Sequence, residues 1–363
     1  MEYIIERGVR IVPKTSWEPV LQRSINAFYE GEFSEGRNAC LTLLAEPALP
    51  PEVRELTYRN QTFYAQPLRE LVEGAQLKAQ QVPGQEGWEV HSLSPFLAGD
   101  RLMVYLRVTP GEAGQASTDV LLTLDNDLGV AEMNVLDNDT GEAASIQDAR
   151  PFILDGVLQA GVILYPPQPG GPVRAGVVDI VDRAWQNLRS FGPRVGQFKA
   201  GWSPLVTGAG IRFVSWWEPT EVFWFDAETR EFKRVALRMA PHVAERFQGS
   251  SQGVSVPGGC LFLVSEQISF GEGPPLIFNR FVLIDDGFQI TAISPQFYAS
   301  RRGQDAASGL TRKDDQLVAG FRTDGREALL ATMDLEATLA ILIPVDAPGR
   351  SVTQLANRAS QLV

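Results

Sequence analysis

The sequence predicts a mainly β protein: a five-bladed β-propeller preceded by a short α-helical, tetratricopeptide-like segment. Three observations predict it. Apolar residues recur at helical spacing between residues 17 and 71. Beyond that, five turn signals each introduce an apolar run of strand length. Five apolar-Asp pairs then recur from Asp125 to Asp334, in four steps of roughly 52 residues, within the range of propeller-blade repeats.

The helical pattern comes first. Leu21, Ile25, Phe28 and Tyr29 follow Ser16, an N-cap residue type, and Gly31 breaks the run. Phe33, Cys40, Leu41 and Leu44 mark a second helix ended by Pro47. A third opens at Pro50-Pro51-Glu52, where proline fits a first turn, and shows Val53, Leu56, Asn60 and Phe63 on one face. The turn from Phe28 to Phe33 has the look of a tetratricopeptide hairpin, but one or two such units are too few for a solenoid. A helical cap over 1–72, packed on the main domain, is the expectation. Residues 74–87 read as a polar linker.

The five hairpins turn at Gly99-Asp100, Asp155-Gly156, Gly208 to Gly210, Pro257 to Gly259 and Asp314-Asp315. The apolar-Asp pairs follow at Leu124-Asp125, Val181-Asp182, Phe225-Asp226, Ile284-Asp285 and Met333-Asp334. Each aspartate is read as holding a turn. A unit of this length has room for about four strands and cannot bury both faces alone. Five units stacked radially over 85–345 are expected, with a pair of packed sheets as the alternative and 346–363 as a tail.

Composition narrows the function. A net charge of −12 disfavours binding to phosphate backbones. The first ten residues place charges where a signal peptide needs an apolar core, and no apolar run reaches the length of a membrane helix; a cytoplasmic protein is expected. Cys40 and Cys260 show no metal spacing and read as buried thiols. His91 and His242 are the only histidines, so a histidine-rich metal site is excluded. No phosphate-binding loop is present, because Gly170-Gly171 sits between prolines and no lysine follows. No cofactor and no metal are expected.

Residues Glu245 to Glu266 (ERFQGSSQGVSVPGGCLFLVSE), Gly201 to Val206, Asn279 to Asp285 and Gly303 to Leu310, in that setting, resemble bacterial five-bladed propellers. These are distantly similar to glycoside hydrolase family 130, the mannoside phosphorylases, and often accompany tetratricopeptide or glycosyltransferase segments. The resemblance spans about residues 90 to 334 and implies polar residues converging on an axial pocket. Its departures are as informative. Gln147-Asp148-Ala149-Arg150 stands where that family tends to have Glu-Asp-Cys-Arg, and Lys199-Ala200-Gly201-Trp202 where it has Glu-Lys-Asn-Trp. Ser265-Glu266 replaces His-Glu, Asn279-Arg280 replaces His-Arg, and Gly325, beside Asp324, replaces a late Asp.

Glycoside cleavage needs a proton donor and a second carboxylate, or phosphate as nucleophile. The candidate catalytic residues are Asp148, Glu266 and Asp305, with Asp148 aligned to a carboxylate of the family. Arg150, Trp202 and Arg280 are the candidate substrate-binding residues: two cations that persist where the resemblance implies a phosphate-binding cluster of Arg, Lys and His, with the lysine and both histidines gone, and an indole able to stack on sugar. Trp216, Trp217 and Trp224 fall in the same unit, but Trp216 and Trp217 must point to opposite faces of a strand. The competing reading makes Asp148 and Arg150 a buried pair between blades. The resemblance implies a carbohydrate-related propeller, a non-catalytic glycan-binding or scaffold protein with an eroded site and a protein partner at the helical segment. The alternative is an active enzyme using Asp148 with Glu266 or Asp305, a hydrolase rather than a phosphorylase.

Overall fold

A computed structural model describes residues 4–6, 9–11, 14–46, 48–80, 87–110, 116–138, 145–166, 173–191, 202–208, 210–226, 229, 231–323 and 327–345. A small hairpin, β1 (Ile4–Glu6) and β2 (Val9–Ile11), precedes three helices, α1 (Lys14–Glu30), α2 (Phe33–Ala45) and α3 (Pro51–Thr62). Helix α1 begins two residues before Ser16, so the helix start lies earlier than the cap signal placed it. Gly31 turns the chain at φ +77°, a conformation that glycine adopts without a Cβ penalty. Short pieces β3 (Gln66–Pro67), α4 (Leu68–Leu71) and β4 (Gln76–Gln80) follow.

Five runs of strands, called units below, then follow along the chain; the first two are joined into one eight-stranded sheet by a parallel pairing of Ala184 and Trp185 with Asp137 and Asn138. The first is β5 (Glu89–Ala98), β6 (Arg101–Thr109), β7 (Thr118–Leu124) and β8 (Val130–Asn138). The second is β9 (Ser145–Leu154), β10 (Val157–Tyr165), β11 (Arg174–Val181) and β12 (Ala184–Phe191). The third is β13 (Ser203–Thr207), β14 (Gly210–Trp217), β15 (Thr220–Asp226) and β16 (Glu231–Arg238). After a 3-10 turn at His242–Arg246, the fourth has a broken first strand, β17 (Phe247–Ser250) and β18 (Val254–Val256), both paired to β19 (Gly259–Ile268). It continues with β20 (Leu276–Ile284), β21 (Ile290–Ile293) and the two-residue β22 (Phe297–Tyr298). The fifth is β23 (Asp305–Lys313), β24 (Gln316–Thr323) and β25 (Glu327–Asp334), followed by α5 (Leu335–Ala340) and β26 (Ile343–Pro344), which pairs with β21.

The fourth strand of the fifth unit comes from the other end of the chain. Strand β4 pairs antiparallel with β25, from Gln80–Ala328 to Gln76–Thr332. Part of the segment read as a polar linker is therefore an outer strand. Its sequence hid this because an edge strand facing solvent needs little apolar alternation.

The apolar core follows the same cycle. Phe96 and Tyr105 of the first unit pack with Val162 and Trp185 of the second. Phe152 and Val177 pack with Phe213 and Phe223 of the third. Trp217 and Val222 pack with Phe262 and Val282 of the fourth. Leu263 and Phe281 pack with Leu310 and Phe321 of the fifth, and Val318 and Leu330 return to Leu93 and Leu106 of the first.

All five predicted hairpin turns join the first two strands of a unit, and all five apolar-Asp pairs end a third strand. Asp125, Asp226 and Asp285 accept from backbone N–H groups of the turns that follow them. Asp125 Oδ1 accepts from the backbone N–H of Asp127 and Gly129 at 2.9 and 2.6 Å, and Asp285 Oδ1 from Gln289 at 2.8 Å. Asp334 caps α5 through Ala337 N–H at 2.8 Å. No helix among the described residues is long and apolar enough to cross a membrane.

The helical segment is docked on the fourth unit. Strand β3 pairs parallel with β22, and Leu44 and Tyr58 join the core cluster around Trp217 and Phe262. Tyr58 Oη donates to His242 O at 2.6 Å, and Arg302 Nη2 donates to Thr62 O at 2.7 Å.

Candidate functional site

Asp148 and Arg150 lie on β9, Trp202 just before β13 and Asp305 at the start of β23, each the first strand of its unit, whereas Glu266 and Arg280 lie on β19 and β20. Asp148 is half-buried on β9 at φ +48°, inside a bulge where the pairing shifts between Gly161 and Ile163 of β10. Two residues on, Arg150 is buried, and burial lowers its guanidinium pKa while the Asp148 charge pushes it up. Lys199, Ala200, Gly201, Asp324 and Gly325, together with Gly170-Gly171 and the 346–363 tail, lie outside the described residues.

Glu266 and Arg280 form an ion pair, with Nε 2.9 Å from Oε1 and both side chains within 1% of complete burial. The rest of each group is also engaged. Gln296 donates its amide to Glu266 Oε2. Arg280 Nη1 donates to Ser294 O at 2.7 Å, and Nη2 to Gln61 Oε1 of α3 at 2.5 Å. The pair thereby ties β19 and β20 to the helical segment.

Asp305 opens β23 and is fully buried. Its Oδ2 accepts from the backbone N–H of Ser300 and Arg301 at 2.5 and 2.7 Å, while Oδ1 has no partner. Burial raises its pKa above the usual carboxylate value, against the lowering effect of the backbone N–H groups. Around it the centre is knitted by small polar side chains. Ser265 Oγ donates to Asn279 Oδ1 at 3.0 Å, Ala307 N–H donates to both groups at 2.9 Å, and Asn279 Nδ2 donates to Asp305 O at 2.9 Å. Ser94 Oγ reaches Gln252 Oε1 at 3.0 Å.

Trp202 is buried and stacked on Phe213, with centroids 4.6 Å apart and planes 9° from parallel. Its indole face is core, not an open sugar platform. Trp216 and Trp217 point to opposite faces as expected, Trp217 buried against Phe262 and Trp216 half-buried with its N–H on Glu218 O.

Two groupings escaped the sequence reading. A cavity of about 440 Å³ lies at the trailing ends of the innermost strands and takes one run from each unit, including Phe96, Phe152, Val206, Val254 and Leu310, with Gln252 and Arg312. None of the six sequence-derived residues lines it. No motif marks it, because it arises only when five separate strand ends converge. The second grouping is Glu218, His242 and Glu245, whose ligand atoms lie within 4.8 Å of one another. This donor set could hold a divalent cation. However, His242 Nδ1 is already 2.8 Å from Glu245 Oε1, and Arg54 Nη1 stands 3.9 Å from the same oxygen, supplying positive charge in place of a cation. Cys40 is buried and its thiol is pushed up to about 12 by burial, while Cys260 is half-buried; neither is a poised nucleophile.

No family model matches the sequence, and no curated protein is similar to it in sequence. Solved structures do share the fold. A glycosyl hydrolase from Bacteroides ovatus aligns over 72% of this chain and 88% of its own, with a TM-score of 0.50 and 10% identity. The beta-1,2-mannobiose phosphorylase of Listeria innocua, in complex with beta-1,2-mannobiose, aligns over 73% of this chain and 98% of its own, with a TM-score of 0.51 and 12% identity. At these identities the likeness is one of fold.

Proposed function

We propose that this chain is a five-bladed β-propeller of the glycosidase type that acts as a non-catalytic, carbohydrate-related binding or scaffold protein. The cyclic order of the five core clusters and the strand β4 that completes the fifth sheet support the propeller. We assign residues 1–72 to a docked helical segment and 85–345 to the ring. The observation that carries the non-catalytic reading is the fate of Glu266. Glu266 is charge-paired with Arg280, accepts from Gln296 and is sealed from solvent, which leaves it poorly placed to protonate a glycosidic oxygen. Arg280, one of the two cations that the resemblance offers to phosphate, is engaged in the same contacts.

One observation favours a hydrolase instead. Asp305 has a raised pKa and a free Oδ1, the electrostatic profile of a proton donor, and Asp148 would be its second carboxylate. Beta-1,2-mannobiose, the ligand of the Listeria fold relative, separates the two readings when incubated with the purified protein with and without phosphate. A rise in melting temperature with no sugar released supports a binding protein. Release of mannose removed by Asp148→Asn or Asp305→Asn would establish the hydrolase, and release of mannose 1-phosphate would establish a phosphorylase.

A further inference from the structure

The most exposed aromatic surface of the described molecule lies on the helical segment, away from the ring centre. Tyr29 is 82% exposed, Phe63 49%, Phe33 45% and Phe28 38%. These four come from three elements: the end of α1, the start of α2 and the residue that caps α3. Phe28 sits at their middle, with ring centroids 5.6 Å from Tyr29, 5.9 Å from Phe33 and 5.5 Å from Phe63. Tyr64 forms the floor, buried beneath Phe28 and Phe33, its hydroxyl on Ser24 O. Isolated exposed apolar residues need no explanation, but a contiguous aromatic group of this kind marks an interaction surface.

Charge defines the partner. Beside the aromatic group, Arg23 is paired at once with Glu30, Glu32 and Glu35. One guanidinium against three carboxylates leaves a net of two negative charges on the rim, within a chain of net charge −12. That rim repels phosphate-bearing ligands and attracts lysine and arginine. The rings are stiff, and Tyr64 holds the group from below, so little side-chain entropy is lost on contact.

We propose that Phe28, Tyr29, Phe33 and Phe63 form a docking site for a basic peptide segment, one with an aromatic or aliphatic anchor flanked by Lys or Arg. The proposal deepens the scaffold half of the functional reading and names the partner's chemistry. It places the anchor over Phe28 and the partner's cations against Glu30, Glu32 and Glu35.

A display library of random 15-residue peptides, selected on the full chain and counter-selected on a Tyr29→Ser/Phe33→Ser variant, tests it. The enriched peptides are expected to carry an apolar anchor flanked by Lys or Arg. A synthetic copy of the most enriched peptide should bind the wild type at least about tenfold tighter than the variant, the loss of an aromatic hot spot. Glu30→Gln/Glu32→Gln/Glu35→Gln, which leaves every ring in place, should weaken it at least about threefold and flatten its salt dependence. Matching thermal melts of both variants and wild type exclude unfolding, since every substituted side chain is exposed. Failure to enrich any peptide, or enrichment of peptides without basic residues, overturns the proposal. So does a concentration-dependent dimer abolished by the Tyr29/Phe33 variant, which would make a second copy the occupant. Cleavage of mannobiose would sink the non-catalytic reading while leaving peptide binding intact, so the two failures are distinguishable.

Discussion

Arg280 Nε stands 2.9 Å from Glu266 Oε1, both side chains are sealed from solvent, and the same guanidinium reaches Gln61 on α3. One ion pair therefore ties a strand pair of the fourth unit to the helical segment.

Breaking that pair from one side leaves a buried, uncompensated charge. Glu266→Ala is expected to cost about 3–5 kcal/mol of unfolding free energy. Glu266→Gln, which keeps the shape and one acceptor for Gln296, should cost less. Urea unfolding of the three proteins, read by tryptophan fluorescence, checks the order. An unchanged midpoint for Glu266→Ala would show that the pair does not hold the fold.

Tyr58→Phe removes the hydroxyl that donates to His242 O at 2.6 Å while retaining the ring under Arg246. The orphaned carbonyl should lower stability by about 1–3 kcal/mol. Deleting residues 1–72 should do more, because it strips Leu44, Tyr58 and Leu68 from two core clusters and leaves Arg280 without Gln61. A lower melting temperature or loss of solubility is the expected outcome, and an unchanged melt of the shortened chain would contradict the docking.

Asp305 makes stability depend on pH in a defined direction. Its folded-state pKa lies above the unfolded value, so the native state holds a proton that the unfolded chain releases first. Its contribution is present below the unfolded carboxylate pKa and is lost as pH rises through the folded one. Asp305→Asn, which keeps an acceptor for Ser300 and Arg301, should flatten this component in melts taken from pH 4 to 8. An identical pH profile for the variant would remove Asp305 as its source.

Gly309 lies where the fifth unit meets the first. A Cβ there would stand 2.6 Å from Ser94 Cα and 2.6 Å from Pro95 Cδ, and backbone of this kind cannot step aside. Gly309→Ala should destabilise by about 1–3 kcal/mol through overpacking against Ser94 and Pro95. A melt matching wild type would mean that the first and fifth units are not held this closely.

The chain's periodicity carried much of the architecture. Turn chemistry and strand alternation are local properties, so Asp155-Gly156 or Asp314-Asp315 could be read as hairpins, and Asp125 and Asp285 as turn holders, without knowing what surrounds them. The helices were legible for the same reason. Tertiary structure alone decided the rest. Strand β4 belongs to the fifth sheet because its partner β25 lies some 250 residues later, and a solvent-facing edge leaves little pattern to find. Glu266 looked like a catalytic carboxylate and Trp202 like a sugar platform because sequence shows residue type but not neighbours. The fold seals the first beside Arg280 and stacks the second on Phe213, neighbours that sequence could not show. The cavity lined from Phe96 to Arg312 had no sequence signal at all. Its walls are ordinary strand residues, and only tertiary packing brings these runs, distant in sequence, together.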